Sequence, residues 1–533
     1  MRYVSIFSAA VLCCSLVGGA TANGRPGMAQ RAQRRGSAPA PRLQPRADNT
    51  TAFRFLNTET EKYCVKSIPD VPFDIGEMYA GNLPVNMNDT SRQMYYVFQP
   101  TIGAPVDEVT IWFNGGPGCS SLEGFLQENG YFIWGWGQYS PTENLYSWVN
   151  LTNMLWVEFP IGLGFSYGEV TATGEEDVAQ DFIGFFKNFE TVFGIKNYKI
   201  YVTGESYAGR YVPYVSKAML DQNDTTYFNL SGALMYDPVI GQFQYLGQTV
   251  PAVQYVEDHT HFFNFNATFM SELTFANEYC GYANYTNFFF SFPPRAMQPA
   301  IDYAFNNMSA SGVNCNLWRA IFEAASMPNP CFNVYEISTM CPILSDPLSY
   351  PGDLYYQYPG MGGVYFNRTD VKEAMHAPQN ISWTECSGPV FKGRGGQYRR
   401  GDLSADPIQS VLPAVIEATN RVLVSNGDYD FDILTKGTLM SIQNMTWGGK
   451  MGFQTKPSTP IDILLPDLQY AQVFVDSALD GLDRPGQGIM GIQHFERGLM
   501  WGETYQSGHM QPQFQPRVSY RHLQWVLGRI DTL

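Results

Sequence analysis

Lys199-Ile200-Tyr201-Val202-Thr203 runs without a break into Gly204-Glu205-Ser206-Tyr207-Ala208-Gly209, and no other stretch limits the fold of this chain so strongly. The first five residues have the apolar, β-branched character of a buried strand, and a helix-compatible segment follows the second glycine. A strand that bends into a helix this abruptly needs glycines beside the bend. The bend in turn lifts the serine hydroxyl above the carboxyl edge of a sheet. G-x-S-x-G alone is a permissive pattern. Between a strand and a helix it points to a nucleophilic serine.

The surrounding sequence supports a parallel sheet. Val109-Thr110-Ile111-Trp112-Phe113 and Met154 to Phe159 read as buried strands. Glu175 to Phe193, ahead of the serine strand, has helical spacing with Val178, Phe182, Phe185, Phe186 and Phe189 on one face. This β–α–β rhythm predicts an α/β-hydrolase fold with a mostly parallel central sheet. The rhythm returns at Arg421 to Ser425, and an amphipathic closing helix is expected over Tyr520 to Leu533. Residues 241–400 read as irregular, with four of the seven cysteines found beyond residue 22 lying between 280 and 341. They are expected to form a disulfide-stapled insertion or cap between the two halves of the core, 48–240 and 401–533.

The first residues read as processing segments. Arg2 precedes an apolar run from Val4 to Val17, and Ala20-Thr21-Ala22 supplies a small-residue cleavage site, so 1–22 is expected to be a signal peptide. The run is too short for a membrane span, and no apolar tail of anchor length closes the chain. Residues 23–47, rich in Gly, Pro, Ala and Arg, read as a pro-segment, with Arg34-Arg35 as a dibasic processing site. From Asp48 onward 26 basic residues face 49 acidic ones. So acidic a surface repels phosphates and anionic lipid, which argues against nucleic-acid and membrane-surface partners.

A secretory route, ending outside the cell or in a vacuole, is the expectation. Sequons stand at Asn49, Asn88, Asn150, Asn223, Asn229, Asn266, Asn284, Asn307, Asn367, Asn380 and Asn444, so N-linked glycans are expected. Cys64, Cys119, Cys280, Cys315, Cys331, Cys341 and Cys386 should mostly pair in an oxidising compartment, and their odd number leaves one over. Their spacing is not of a metal-binding type, and neither a metal nor another cofactor is expected.

A nucleophilic serine needs a base. In this fold the order along the chain is serine, acid, histidine. His259, His261 and His376 come too early for that order, while His494 and His522 fall in stretches that read as structural or solvent-exposed. His509, in the small-residue loop Ser507-Gly508-His509-Met510, is the best placed. For the acid, the strand at Arg421 to Ser425 ends in Asn426-Gly427-Asp428-Tyr429-Asp430, and either aspartate could orient the imidazole.

Several long blocks carry a family likeness. Gly204 to Pro213 resembles the signature block of the serine carboxypeptidase family, and Trp112-Phe113-Asn114-Gly115-Gly116-Pro117-Gly118-Cys119-Ser120-Ser121 is similar to its second block. Gly508-His509-Met510 with Pro512, Gln515 and Pro516 resembles its histidine block, and Tyr146-Ser147-Trp148 and Phe165-Ser166-Tyr167 also match. The likeness covers nearly all of residues 60–530. It implies a serine-type carboxypeptidase with Ser206, Asp430 and His509 as the triad, and it leaves Asp428 to brace its loop. The backbone of Gly116 and Tyr207 would form the oxyanion hole.

The same resemblance assigns recognition of the substrate carboxylate to Asn114, Gly115, Glu128 and Glu205. Two adjacent carboxyls share a proton and can then donate a hydrogen bond to an anion, so peptide binding should favour acid pH. Glu123, Gln127 and Met510 are expected in the pocket for the leaving residue. Glu123 and Gln127 depart from the family's commoner small polar and aromatic residues, which puts a purely aliphatic preference in doubt. Asp432 would border the pocket for the penultimate residue and accept Lys or Arg there. Cys119 and Cys386 look like the family's bridge beside the active site. Cys280–Cys341 enclosing Cys315–Cys331 is expected for the rest, leaving Cys64 unpaired. Two alternatives are an acyltransferase that keeps the triad without needing the glutamates, and a non-catalytic glycoprotein.

Overall fold

The computed structural model describes residues 53–299, 312–348, 364–394, 401–462 and 488–533. The expected signal peptide and pro-segment and the sequons at Asn49 and Asn307 lie outside the described residues.

Among the described residues ten strands form one sheet. In chain order they are β1 (Tyr79–Asn86), β2 (Asp89–Gln99), β3 (Glu108–Phe113), β4 (Asn153–Val157), β5 (Lys199–Glu205), β6 (Asn229–Tyr236), β7 (Val422–Gly427), β8 (Thr459–Asp462), β9 (Ile489–Glu496) and β10 (Leu499–Thr504). Across the sheet the order is β1-β2-β4-β3-β5-β6-β7-β10-β9-β8. The strands from β4 to β10 in that order are parallel, and the two outer pairs on each side are antiparallel.

The principal helices are α1 (Glu175–Phe193), α2 (Ala208–Asp221), α3 (Ala267–Tyr279), α4 (Leu317–Ser326), α5 (Val411–Thr419), α6 (Thr435–Gln443) and α7 (Pro516–Val526). Helix α1 opens on Glu175, Glu176 and Asp177, whose charges suit the positive end of the helix dipole, and it ends where Gly194 turns left-handed at φ 70°. Its Phe182, Phe185, Phe186 and Phe189 are fully buried against the sheet. Each contributes on the order of 2 kcal/mol of apolar burial.

Alternate residues of the central strands feed opposite faces of the sheet. Val109, Ile111, Ile200 and Val202 meet α1 and α2, whereas Trp112 and Tyr201 join Trp148, Trp156 and the α7 residues Leu523 and Trp525 on the other side. A third apolar cluster, with Leu246, Val253, Leu273, Ile321, Phe332 and Phe431, lies within and beside the segment that links β6 to β7.

Two expectations about local structure need correction. Within the segment 241–400, residues 243–289 are largely helical rather than irregular, whereas 327–348 and 375–394 lack helix and strand as expected. Asn266 and Asn316 cap α3 and α4 with their side chains, and Leu317, Ile321 and Ala325 repeat every four residues along the buried face of α4. The closing helix starts earlier and stops sooner than expected. Pro516 fits its first turn, where an N–H is dispensable, and Gly528, at φ 71°, follows its end.

Candidate active site

The carboxyl ends of five neighbouring strands gather the predicted residues. Register pairs Phe113 with Gly204, Glu205 with Tyr236, Tyr236 with Ser425, and Gly427 with Thr504. Asn114, Ser206 and Asp237 therefore leave the sheet side by side, and the loops after β7 and β10 carry Asp430 and His509 to the same edge.

Ser206 holds φ at 62°, a left-handed conformation that a side chain tolerates only when its surroundings enforce it. Its N–H donates to Tyr236 O at 2.9 Å, and its carbonyl accepts from the N–H groups of Gly209 and Val239, both at 2.9 Å. The two glycines of the motif are sterically required. A Cβ on Gly204 would stand 2.5 Å from Phe113 O, and one on Gly209 would stand 2.5 Å from Val239 N.

Gly115 comes equally close to the bend: a Cβ there would lie 2.4 Å from Tyr207 N and 2.6 Å from Ser206 Cβ. The Gly115–Gly118 loop is braced from outside by the Cys119–Cys386 disulfide and by backbone hydrogen bonds from Ser120 N to Glu385 O and from Ser387 N to Gly118 O, each 2.7 Å. Tyr207 is held through its hydroxyl, which donates to Asp402 at 2.5 Å. Arg210, fully buried, bonds both Asp402 and Asp406.

His509 Nδ1 lies 2.7 Å from Asp430 Oδ2. The other oxygen of Asp430 accepts from Asp432 N at 2.7 Å and Ile433 N at 3.2 Å, which fixes the carboxylate and favours its charge. Burial works against an imidazolium at His509, but the Asp430 carboxylate outweighs it and raises the histidine pKa. Asp428 instead accepts from Ser507 N at 3.3 Å and so braces the loop that carries His509. His494 pairs with Glu496, and His522 is buried against the Tyr236 hydroxyl. With Ser206 and the His509 imidazole in one cleft and a fixed carboxylate behind the imidazole, the arrangement is suited to nucleophilic acyl transfer.

Beside Ser206 lies a carboxyl cluster. Asn114 Nδ2 is 2.8 Å from Glu205 Oε1, 3.2 Å from Glu128 Oε1 and 3.4 Å from Glu123 Oε2. The opposite end of the amide is fixed, because Asn114 Oδ1 accepts from Trp112 Nε1 at 2.7 Å. Glu128 and Glu205 share a hydrogen bond, which requires a proton on one of them. Burial raises Glu128 to about 7, the hydrogen bond from Asn114 only partly opposing it. Burial and then the neighbouring Glu128 charge push Glu205 and Glu123 well above the usual carboxylate range.

Gly115, Gly116, Glu123, Glu205, Ser206, Tyr207, Asp432, His509 and Met510 line one cavity of about 360 Å³. Asn114, Gln127, Glu128 and Asp430 are not in its lining. Gln127, expected in the pocket, donates instead to Asp346 Oδ1 at 2.7 Å. Asp432 Oδ1 accepts from Gln248 Nε2 at 2.9 Å at the cavity wall.

The sequence profile described as serine carboxypeptidase matches residues 69–529 of the chain. The chain is a member of the serine carboxypeptidase family. It is 56% identical to serine-type carboxypeptidase F of Aspergillus niger over the whole of both chains, and 44% identical to a probable serine carboxypeptidase of Arthroderma benhamiae, over 92% of this chain and 90% of that one. The fold is shared with the crystal structure of Kex1Δp, a prohormone-processing carboxypeptidase of Saccharomyces cerevisiae, with a TM-score of 0.66 and 22% identity over 88% of this chain and 96% of that one. The family membership makes the chain a serine-type carboxypeptidase, and neither an acyltransferase nor a non-catalytic glycoprotein is favoured.

The disulfides include one expected pair and two corrected ones. Cys119–Cys386 forms, but Cys280 bonds Cys315 and Cys331 bonds Cys341, so the expected enclosing pattern is wrong. Cys280 ends α3 and Cys315 precedes α4, two helices that pack together, while Cys331 and Cys341 flank a short loop bridged at Asn333 and Glu336. Packing set these pairs, and no sequence spacing encodes it. Cys64 is unpaired. None of the sequon asparagines among the described residues is buried, and Asn88, Asn223, Asn266, Asn284 and Asn380 are exposed.

Sequence reasoning missed Asp237, Asp402 and Gln511, each of which supports a residue of the site. The run Tyr236-Asp237-Pro238 did carry a signal, since a carboxylate directly after an apolar strand sits at the same sheet edge as Ser206.

Proposed function

We propose that this carboxypeptidase removes single residues from the C-termini of peptides through an acyl-enzyme on Ser206. His509 takes the serine proton and returns it to the leaving amine, and Asp430 holds the imidazole tautomer and stabilises its charged form. The N–H groups of Gly116 and Tyr207 receive the developing oxyanion, in keeping with the close approach of the glycine loop to Ser206.

One observation carries the exopeptidase reading. Asn114, Glu128 and Glu205 are linked by hydrogen bonds one residue away from Ser206, where a terminal carboxylate would lie once the last peptide bond is presented. Asn114 Nδ2, Gly115 N and a carboxyl proton would bind that anion. Binding is then strongest when the glutamate pair holds its proton, and acid pH favours the enzyme. Glu123 and Met510 would face the leaving side chain and Asp432 the penultimate one, with Gln127 behind.

The acidic composition and the surface placement of the sequons support a glycosylated protein of the secretory pathway, extracellular or vacuolar, without nucleic-acid partners. Among the described residues no helix is long and apolar enough to cross a membrane.

The test is incubation with a mixed peptide set at about pH 4.5, with released residues read by mass spectrometry. Stepwise loss from C-termini, absent with C-terminally amidated peptides and absent in Ser206→Ala, is expected. Internal cleavage, or equal action on amidated peptides, would overturn the reading.

A further inference from the structure

Behind the Asp430–His509 pair stands a second buried carboxyl that the proposed mechanism does not use. Asp237 follows β6, is fully buried and holds φ at 42°. Its N–H donates to Ser425 O at 2.8 Å, its Oδ1 accepts from Gly427 N at 2.8 Å, and its Oδ2 accepts from Gln511 Nε2 at 2.6 Å. Gln511 is oriented in turn, because its Oε1 is 2.9 Å from both Ser425 Oγ and Thr504 Oγ1. Four elements thus converge to fix this one side chain.

Carboxyl oxygens of Asp237 and Asp430 and a nitrogen of His509 all lie within 4.8 Å of one another. Such a trio could suit a metal ion, but His509 Nδ1 is already engaged with Asp430 at 2.7 Å, and an Asp237 oxygen lies within 4.8 Å of an Asp430 oxygen. Two buried carboxyls this close do not both ionise cheaply, so one of them keeps a proton. Asp430 has the stronger claim to the negative charge, since it accepts from two backbone N–H groups and from the imidazole.

Resting on the triad reading above, we propose that Asp237 is a positioning residue: a neutral carboxylic acid that donates its proton to Asp430 and leaves a single negative charge facing His509. Burial, then the charge of Asp430, raises the Asp237 pKa well above the carboxylate range, in keeping with this. The other titratable groups that face it are His509, Glu205 and Tyr236; at Glu205 and Tyr236 its charge would act to hold the proton on. With the Asp237 proton in place, Asp430 is held against the imidazole and its pull on the His509 proton is moderated. An ionised Asp237 would place a second charge beside the histidine and raise its pKa further.

Asp237→Ala and Asp237→Asn separate the possibilities when kcat, KM and Tm are followed with pH. Loss of the donor in the alanine variant should lower kcat about tenfold or more with KM little changed. It should also move the acid limb of kcat to higher pH, because an undamped Asp430 holds the imidazolium more tightly. Asparagine, a neutral donor of the same size, should rescue most of kcat and return the limb toward that of the parent. The difference infrared spectrum of parent against Asp237→Asn should show a protonated carboxyl lost at neutral pH, a readout that stands even if the alanine variant does not fold. An acid limb that falls in both variants, with asparagine as damaging as alanine, would mean that Asp237 is ionised and would overturn the proposal. So would a change in Tm alone. Asp430→Asn serves as the control on the underlying reading: if it retains full kcat, the triad assignment fails and not merely the role of Asp237.

Discussion

Asn114 Nδ2 lies 2.8 Å from Glu205 Oε1, and Glu205 is the residue directly before Ser206. The group that would hold the terminal carboxylate and the group that would attack the adjacent carbonyl are thus fixed by one strand. Glu128, raised by burial to about 7, is the first of the cluster to ionise while Glu205 and Glu123 keep their protons, and its charge then opposes a substrate carboxylate. KM for a peptide should therefore be low at acid pH and climb as pH rises through the neutral range. In Glu128→Gln the pair can no longer ionise jointly, and KM should vary little between about pH 5 and 8. Michaelis plots across that range check this; a parent KM that stays flat would contradict it.

Replacing Asp430 with Asn should leave the fold and KM intact and lower kcat by about 10⁴-fold, because an amide stabilises the wrong imidazole tautomer. Asp428→Asn, at the bracing position, should cost less than about tenfold in kcat and act mainly on Tm. Side-by-side kinetics and thermal melts of the two variants separate the roles.

Asp432 accepts from Gln248 and lines the cavity beside Ser206, which puts a carboxylate within reach of a penultimate side chain. Asp432→Leu should lower kcat/KM for peptides with Lys or Arg at the penultimate position by about tenfold and leave apolar ones nearly unaffected. Equal losses for both peptide classes would remove Asp432 from specificity.

The Cys119–Cys386 bond joins segments 267 residues apart. Its removal in a Cys119→Ser, Cys386→Ser variant should cost about 2–5 kcal/mol of stability. The backbone bridge at Ser120 and Ser387 should keep part of the activity. Denaturant unfolding with matched assays measures both.

Glu158, Glu336, Asp428 and Glu503 are each raised by burial to about 7. Their unfolded values lie near 4, so between about pH 4 and 7 the folded chain binds more protons than the unfolded one. Stability must then fall as pH rises through that window. Thermal melts should give a higher Tm at about pH 4.5 than at about pH 7; the reverse order would mean that these carboxyls are ionised in the fold.

Local chemistry made much of this legible. The bend at Ser206 is written in Gly204 and Gly209, whose absent side chains admit Phe113 O and Val239 N. The face of α1 was readable because four phenylalanines repeat at helical spacing. His509 followed from chain order. For Asp237 the local signal, a carboxylate directly after an apolar strand, gave no role, because its partners come from the pairing of β6 with β7, which sets Tyr236 beside Ser425. The cystine pairs failed for the same reason: α3 beside α4 decides them. Gln127 was placed by likeness, and its actual partner, Asp346, is far off in the sequence.

The site is collected from strands spread between Asn114 and the loop that follows β10. A growing polypeptide therefore displays its serine long before its imidazole has been synthesised. On the triad proposed above, a chain cut short before β10 would carry the serine without its base, so the attacking group and its proton acceptor come together only when β10 has paired with β7.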